Sequence, residues 1–302
     1  MEISIVIPTY GRESVLLDTV SSLLDQCGTC RELLVVDQTR EHTPETEVAL
    51  ATWSKSNVIR WIRLESPSVT HAMNRGLLDA KAPLVLFLDD DIQPAEDLVD
   101  QHVVAHSSVD CELIAGRVIQ PGDWHKPADP ASLFNSPNAG SRAEFMGGNF
   151  SVRRDNALAL GGFDENFRYS AYQFEREFSD RLIATGGCIH FAPNAWIRHL
   201  QAASGGVRSF GSHLTTAGPG HSQGAYYYIL SSEGNCIRKS VHRLFRSIGT
   251  RYHLHRPWCI PRTLVAEMRG MVEAMSCKRK GKKLLQSPAV HNFSGKVTQE
   301  ER

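Results

Sequence analysis

An α/β fold, with a mostly parallel sheet flanked by helices, is predicted from three features of the first ninety residues. Short apolar runs rich in β-branched residues alternate with stretches of helical periodicity. Each run stops at a polar cluster. The chain, at 302 residues and 41% hydrophobic, is long enough to cover a sheet on both faces.

The elements follow in order. Ile3 to Ile7 is a β-branched run closed by Pro8, which suits a strand buried on both sides. Ser14 to Gln26 places Val15, Leu16, Val20, Leu23 and Leu24 at helical spacing. Leu33 to Val36 is a second strand, stopped by Asp37, and Pro44 to Ser54 reads as a helix leading to a strand over Val58 to Leu64. A helix over Val69 to Ala80 precedes a fourth strand, Leu84 to Leu88, which ends abruptly at three aspartates. Residues 111–200 read as shorter strands and loops, and Ala203 to Gly224 as a mobile loop rich in Gly, Ser, Thr and His. Beyond it, Ala225 to Ser232 and Pro261 to Ser276 read as helical.

Bulk composition excludes more than it names. Charged residues are 22% and the formal net charge is +0, values of an ordinary globular protein rather than a disordered one. Seven cysteines without a dense framework argue against a disulfide-stapled fold. Cys27 and Cys30 form an isolated CxxC and read as two ordinary thiols. The start lacks the charge and apolar pattern of a signal peptide, and no run approaches a membrane span. The expected location is cytoplasmic, with peripheral contact at the inner membrane face left open.

In a parallel sheet, ligands bind beyond the carboxyl ends of the strands. Here those ends carry Thr9-Tyr10-Gly11-Arg12, Asp37-Gln38 and Asp89-Asp90-Asp91, which would share one edge. Three adjacent carboxylates repel one another unless a cation joins them, and Mg²⁺ or Mn²⁺ commonly bridges carboxylates to phosphates. A solvated turn opening a helix near Pro94 explains the same triplet.

The run Ser4 to Arg12 resembles the opening of family 2 glycosyltransferases of the GT-A fold, and Val35-Val36-Asp37 resembles their second strand. Ala72 to Gly76 is similar to their Ala-Arg-Asn-x-Gly segment, and Leu88 to Asp91 to their DxD motif. Gly147 to Arg154 and Gly161 to Glu165 resemble later blocks in the same order, so the likeness spans roughly residues 3–200. It implies a nucleotide-diphosphate sugar donor and inverting transfer to a hydroxyl of a glycan, lipid-linked or small-molecule acceptor. The implied donor contacts are Pro8, Thr9, Tyr10, Arg12, Asp37, Asn74, Arg75, Asp89 and Asp90. Asp91 would bind the metal, with Asp89 and His199 completing the shell. Glu175 would be the catalytic base, with Glu177 as its competitor. Gly147, Gly148 and Asn149 would lie where acceptor and donor sugars meet. Met73 and Gln38 depart from the family pattern, and Arg75 is the candidate to substitute for the missing basic residue at Met73.

Other positions are weaker candidates. Trp124 and His125 could stack on a sugar, while His213 and His221 read as solvated loop residues within reach of a diphosphate. From Arg238 to Lys283 there are thirteen Lys or Arg against two Glu, with Val265, Met268, Met271, Val272 and Met275 as an apolar stripe. Such a segment suits an anionic membrane surface, and no nucleic-acid partner is expected. The expected division is a GT-A domain over 1–200 and, over 201–302, the loop, C-terminal helices and basic tail. Two rivals remain: a nucleotidyltransferase, which the turn after the first strand fits poorly, and a non-catalytic nucleotide- or glycan-binding protein of the same fold.

Overall fold

The computed structural model describes residues 1–26 and 30–286. Cys27, half of the CxxC, lies outside the described residues, and the Cys30 thiol donates to the carbonyl of Glu32 at 3.1 Å.

The first half is the expected alternation. Strand β1 (Ile3–Thr9) is followed by α1 (Ser14–Leu24), β2 (Cys30–Asp37), α2 (Pro44–Lys55), β3 (Arg60–Arg63), α3 (Val69–Asp79) and β4 (Leu84–Leu88). Local chemistry sets several boundaries. Thr43 caps α2 by accepting from the Thr46 N–H, with Pro44 in the first turn, and Ser68 caps α3 by accepting from the His71 N–H. The aspartate triplet does not lead straight into a helix near Pro94. A short strand, β5 (Ile92–Pro94), intervenes before α4 (Leu98–Ser108).

The second half holds β6 (Leu113–Ile119), β7 (Gly140–Ser141), β8 (Asn149–Arg153), α5 (Arg154–Ala159), α6 (Phe174–Ala184) and β9 (Ile189–His199). The expectation of only short strands fails at β9, whose 11 residues make it the longest strand described. Four helices follow: α7 (Gln223–Ser231), α8 (Cys236–Ile248), α9 (Arg251–His255) and α10 (Ile260–Lys280).

The nine strands form one sheet in the order β3-β2-β1-β4-β8-β6-β9-β5, with β7 paired to β9. β1 pairs in parallel with β2 and β4, β2 with β3, and β6 with β9, while β8 is antiparallel to both β4 and β6. Strands β1, β2, β3, β4, β6 and β9 therefore point one way.

Alternation along β1 and β4 divides the core into two layers. Ile3, Ile5, Ile7, Leu84, Leu86 and Leu88 pack with α1 and α4 residues on one face. Val6, Val85 and Phe87 pack on the other with Phe150, Phe163 and Phe178, and with Tyr226, Tyr227, Ala274 and Cys277 from α7 and α10. The C-terminal helices thus share the core of the sheet. Gly76 lets α3 lie close on β1, since a Cβ there would stand 2.3 Å from a Val6 methyl. One disulfide is present among the described residues, Cys111–Cys188, joining the chain just before β6 to the chain just before β9.

Candidate active site

Because β1, β2, β4 and β9 run in the same direction, Thr9, Asp37, Asp89 and His199 arrive at one edge. The β5–β9 ladder pairs Ile92 with His199, and the Leu200 N–H donates to the Asp91 carbonyl at 2.8 Å. Register therefore fixes Asp91 beside His199. The His199 Nε2 lies 3.2 Å from Asp91 Oδ1 and 3.8 Å from Asp89 Oδ2. One ligand atom from each of the three residues falls within 4.8 Å of the others.

The other imidazole nitrogen, Nδ1, lies 3.1 Å from Gln120 Oε1, an oxygen that also accepts from Gln201 at 2.8 Å. An amide oxygen only accepts, so Nδ1 carries the proton and Nε2 turns toward the carboxylates, the tautomer a metal ligand needs. Two carboxylates and a neutral imidazole suit Mn²⁺ or Mg²⁺. Burial works against charge on His199, but the hydrogen bond with Asp91 and the charges of Asp89 and Asp91 outweigh it and hold its pKa above the ordinary value. Burial likewise opposes ionisation of Asp91, yet the His199 contact, the nearby cations and the Ala202 N–H bring its pKa below the usual carboxylate value.

The three aspartates do different things. Asp89 is half exposed toward the cleft. A Cβ on Gly148 would stand 2.1 Å from its Oδ2, so only glycine permits its position. Asp90 is buried and accepts from Thr9 Oγ1 at 2.7 Å and Arg12 Nε at 3.0 Å. Asp91 Oδ2 accepts from Arg12 Nη2 at 3.1 Å and the Ala202 N–H at 2.8 Å, leaving Oδ1 toward His199. Arg12 also donates to the carbonyls of Ala202 and Ser204. Thr9 and Arg12 border the cleft as expected, but their polar atoms hold the aspartates and the 200–206 segment.

The cleft has Pro8, Tyr10, Gln38, Met73 and Gly147 on its walls. Its aromatic side is built from two directions: Tyr10 stacks on Phe210 at 6.5 Å, and Tyr169 meets Phe210 edge-on at 5.5 Å. The Gly-rich stretch has a defined seat there, with the Gly206 N–H donating to the Tyr10 carbonyl at 2.6 Å. Gln38 ties the cleft together by accepting from the Ser68 N–H and donating to the Thr9 carbonyl. Sequence reading missed Tyr169, Val207, Phe210 and the Pro67–Val69 wall, which no motif marks. It also missed Gln120, which only the ladder brings to His199.

Glu175 stands in the first turn of α6 beside Gly147, where a Cβ would come within 3.2 Å of Glu175 Oε1. Burial, reinforced by the charges of Asp89 and Glu144, pushes its pKa up to about 7. Glu177 points elsewhere: it is buried, pairs with Arg181 at 2.7 Å and with Lys282 at 2.7 Å. Arg181 in turn donates to the carbonyls of Leu160 and Gly162, so that pair secures a turn. Asp180 accepts from the Tyr228 hydroxyl.

Four expected donor or sugar contacts are turned inward or away. Asp37 is buried and accepts from Trp61 Nε1 at 2.9 Å and the Thr39 N–H at 2.8 Å, with His42 Nε2 at 2.8 Å. Asn74 is buried and brackets Phe163, donating to its carbonyl and accepting from its N–H, both at 2.8 Å. Arg75 pairs with Asp79 one turn along the outer face of α3 and does not substitute at the cleft. Asn149 is buried; its Nδ2 donates to the Ala195 carbonyl at 2.9 Å and its Oδ1 meets His102 Nε2 at 2.9 Å. Their amides and charges are satisfied by the fold itself. Trp124 donates to the Ile119 carbonyl, and neither it nor His125 borders the cleft. His213 and His221 border a second cavity instead.

An Asp–Asp–His cluster thus stands at the carboxyl edge of the sheet, with Glu175 across the glycine turn. The chain belongs to glycosyl transferase family 2, whose model matches residues 4–176. It is 27% identical over 118 residues to the uncharacterized glycosyltransferase YfnE of Bacillus subtilis (strain 168), a match covering 38% of this chain and 30% of that protein. The chain thus spans under a third of that relative's length. Among solved structures it resembles the mannosyltransferase PcManGT from Pyrobaculum calidifontis in complex with GDP-Man and Mn²⁺, with TM-score 0.57, 17% identity and coverage of 93% of this chain and 79% of that one. S. aureus TarS in complex with UDP-GlcNAc matches with TM-score 0.58, 15% identity and coverage of 93% and 92%. The shared architecture is GT-A.

Proposed function

We propose that the chain transfers a sugar from a nucleoside-diphosphate donor to an acceptor hydroxyl, with inversion, and that the acceptor is a glycan or a lipid-linked glycan. The observation that carries this reading is the pairing, around Gly147 and Gly148, of a metal-ligand cluster with an acid whose pKa is raised to about 7. The structural neighbours with bound nucleotide sugars support the donor class.

In this reading Asp89, Asp91 and His199 hold the divalent ion, which when bound offsets the charge of the departing diphosphate. Arg12 and Asp90 keep the two ligand carboxylates in place, and Gln120 keeps the histidine in its ligating tautomer. Tyr10, Tyr169 and Phe210 offer aromatic faces to the base or sugar. Residues 201–210 close one side and exclude water. Glu175 takes the acceptor hydroxyl proton as that oxygen attacks the anomeric carbon, which requires its ionised form. Direct attack from the face opposite the leaving group gives inversion.

The role of Glu175 has a kinetic signature. Glu175→Gln should retain nucleotide binding yet lose transfer by about 100-fold or more. For the wild type, transfer should decline as pH falls through about 7, because the acid is then protonated. A Glu177→Gln variant that is inactive, beside an active Glu175→Gln, would assign the base wrongly here.

A further inference from the structure

Helix α8 is amphipathic in an unusual sense. Ser240 is its only buried residue, and Lys239, Arg243, Leu244 and Ser247 beside it are half-buried. Ile237, Val241 and Phe245, spaced i, i+4 and i+8, form an apolar stripe that is 75%, 47% and 66% exposed. Arg238, His242 and Arg246 run alongside the stripe at the same spacing and are exposed, and His242 and Arg246 border a second cavity together with the half-buried Lys239 and Arg243. Of these, only Arg243 has a carboxylate partner among the described residues, Glu267 at 3.1 Å. The chain just beyond leaves Leu254 and Trp258 exposed at 78% and 70%. A surface helix ordinarily turns its apolar side to the core; this one presents it to solvent, beside cations without matching acids.

We propose that α8 is a membrane-surface helix, its apolar stripe seated in the interface of an anionic bilayer and its cationic flank among the lipid phosphates. Charge complementarity selects this occupant: Arg238 to Lys283 holds thirteen Lys or Arg against two Glu. The cavity also reaches Gln173 and Arg176, two residues before Glu175 and one after it. Tyr169, Ala171 and Gln173 all have positive φ (59°, 49° and 78°), and Tyr169 borders the donor cleft, so this strained segment links the two spaces. A phosphate-bearing headgroup held by the α8 cations then lies on the acceptor side of the proposed base. That last placement rests on the sugar-transfer reading; the docking does not.

The test is co-sedimentation of the full chain with vesicles of mixed phosphatidylglycerol and phosphatidylcholine, against phosphatidylcholine alone. The wild type should bind only the anionic vesicles. Ile237→Ser combined with Phe245→Ser should weaken binding at least tenfold, while its unfolding temperature still rises with UDP or GDP and Mn²⁺ as the wild type's does. Lys239→Glu combined with Arg246→Glu, which spares the stripe, should remove the preference for phosphatidylglycerol. Wild type that stays in the supernatant, or an apolar-stripe variant that sediments like wild type, overturns the proposal. So does a wild-type dimer that the stripe variant dissociates without any vesicle binding, since a second copy is then the occupant. Donor turnover without vesicle binding sinks the docking alone; vesicle binding without turnover of any nucleotide sugar sinks the reading of the site.

Discussion

Gly148 and Asp89 illustrate how tightly single residues define the cleft. A methyl group at residue 148 would stand 2.1 Å from the Asp89 carboxylate, which must then rotate out of reach of His199. Gly148→Ala should reduce metal-dependent transfer at least tenfold while leaving the fold intact, because Asp89 can yield toward the open cleft; comparing kcat with the unfolding temperature separates the two. Equal kcat would mean that Asp89 is not a ligand. At this scale the sequence was informative about residues near the backbone of the first half and poor about what their side chains bind. Asp89, Asp91, His199 and Glu175 lie together as the motif order implied. Asp37, Asn74 and Asn149 carry the same motif signal but serve the fold, because a buried amide or carboxylate must find partners wherever the packing supplies them. Nothing in a one-dimensional pattern separates these two uses.

The link from α4 to β8 shows an element-scale version of the same economy. His102 Nε2 donates to Asn149 Oδ1, so its Nδ1 accepts from Ser151 Oγ, and that oxygen accepts in turn from His106 Nε2, each at 2.9 Å. The chain of bonds sets the turn that carries Gly147 and Gly148. Burial pushes the His102 pKa down to about 4 and, with the charges of His102 and Arg153, that of His106 to about 3. Both are neutral in the folded protein, while in the unfolded chain they take protons near their ordinary value. The unfolded state therefore binds more protons as pH drops below about 6.5, and stability is lost progressively toward pH 4. Thermal unfolding across this range should show the decline, and His102→Gln should reduce it by about 3 kcal/mol; an unchanged decline would place the titrating groups elsewhere. Strands and helices of the first half were legible to within a few residues because each is an uninterrupted apolar run or a clear helical stripe. Strand β9 was not, since Pro193 and Asn194 break its apolar pattern where its register with β6 shifts. Helix α8 escaped notice because its apolar positions do not belong to the core.

For the molecule as a whole, one sheet direction accounts for the site: strands far apart in sequence end at the same edge, and the antiparallel β8 follows the turn in which Gly148 meets Asp89 and Gly147 meets Glu175. Helices α7 and α10 complete the opposite core layer, and together with α8 they border the cationic cavity. No helix of the described residues is long and apolar enough to cross a membrane. The central claim is that Asp89, Asp91 and His199 hold a divalent ion that sugar transfer needs. It is tested most directly by nucleoside-diphosphate release from a panel of nucleotide sugars, with Mn²⁺ and with chelator, for the wild type and Asp91→Ala. The account expects one donor to be turned over only with metal, and expects Asp91→Ala to lose that turnover by about 100-fold or more. Turnover by the wild type in chelator, or wild-type rates from Asp91→Ala, would contradict it.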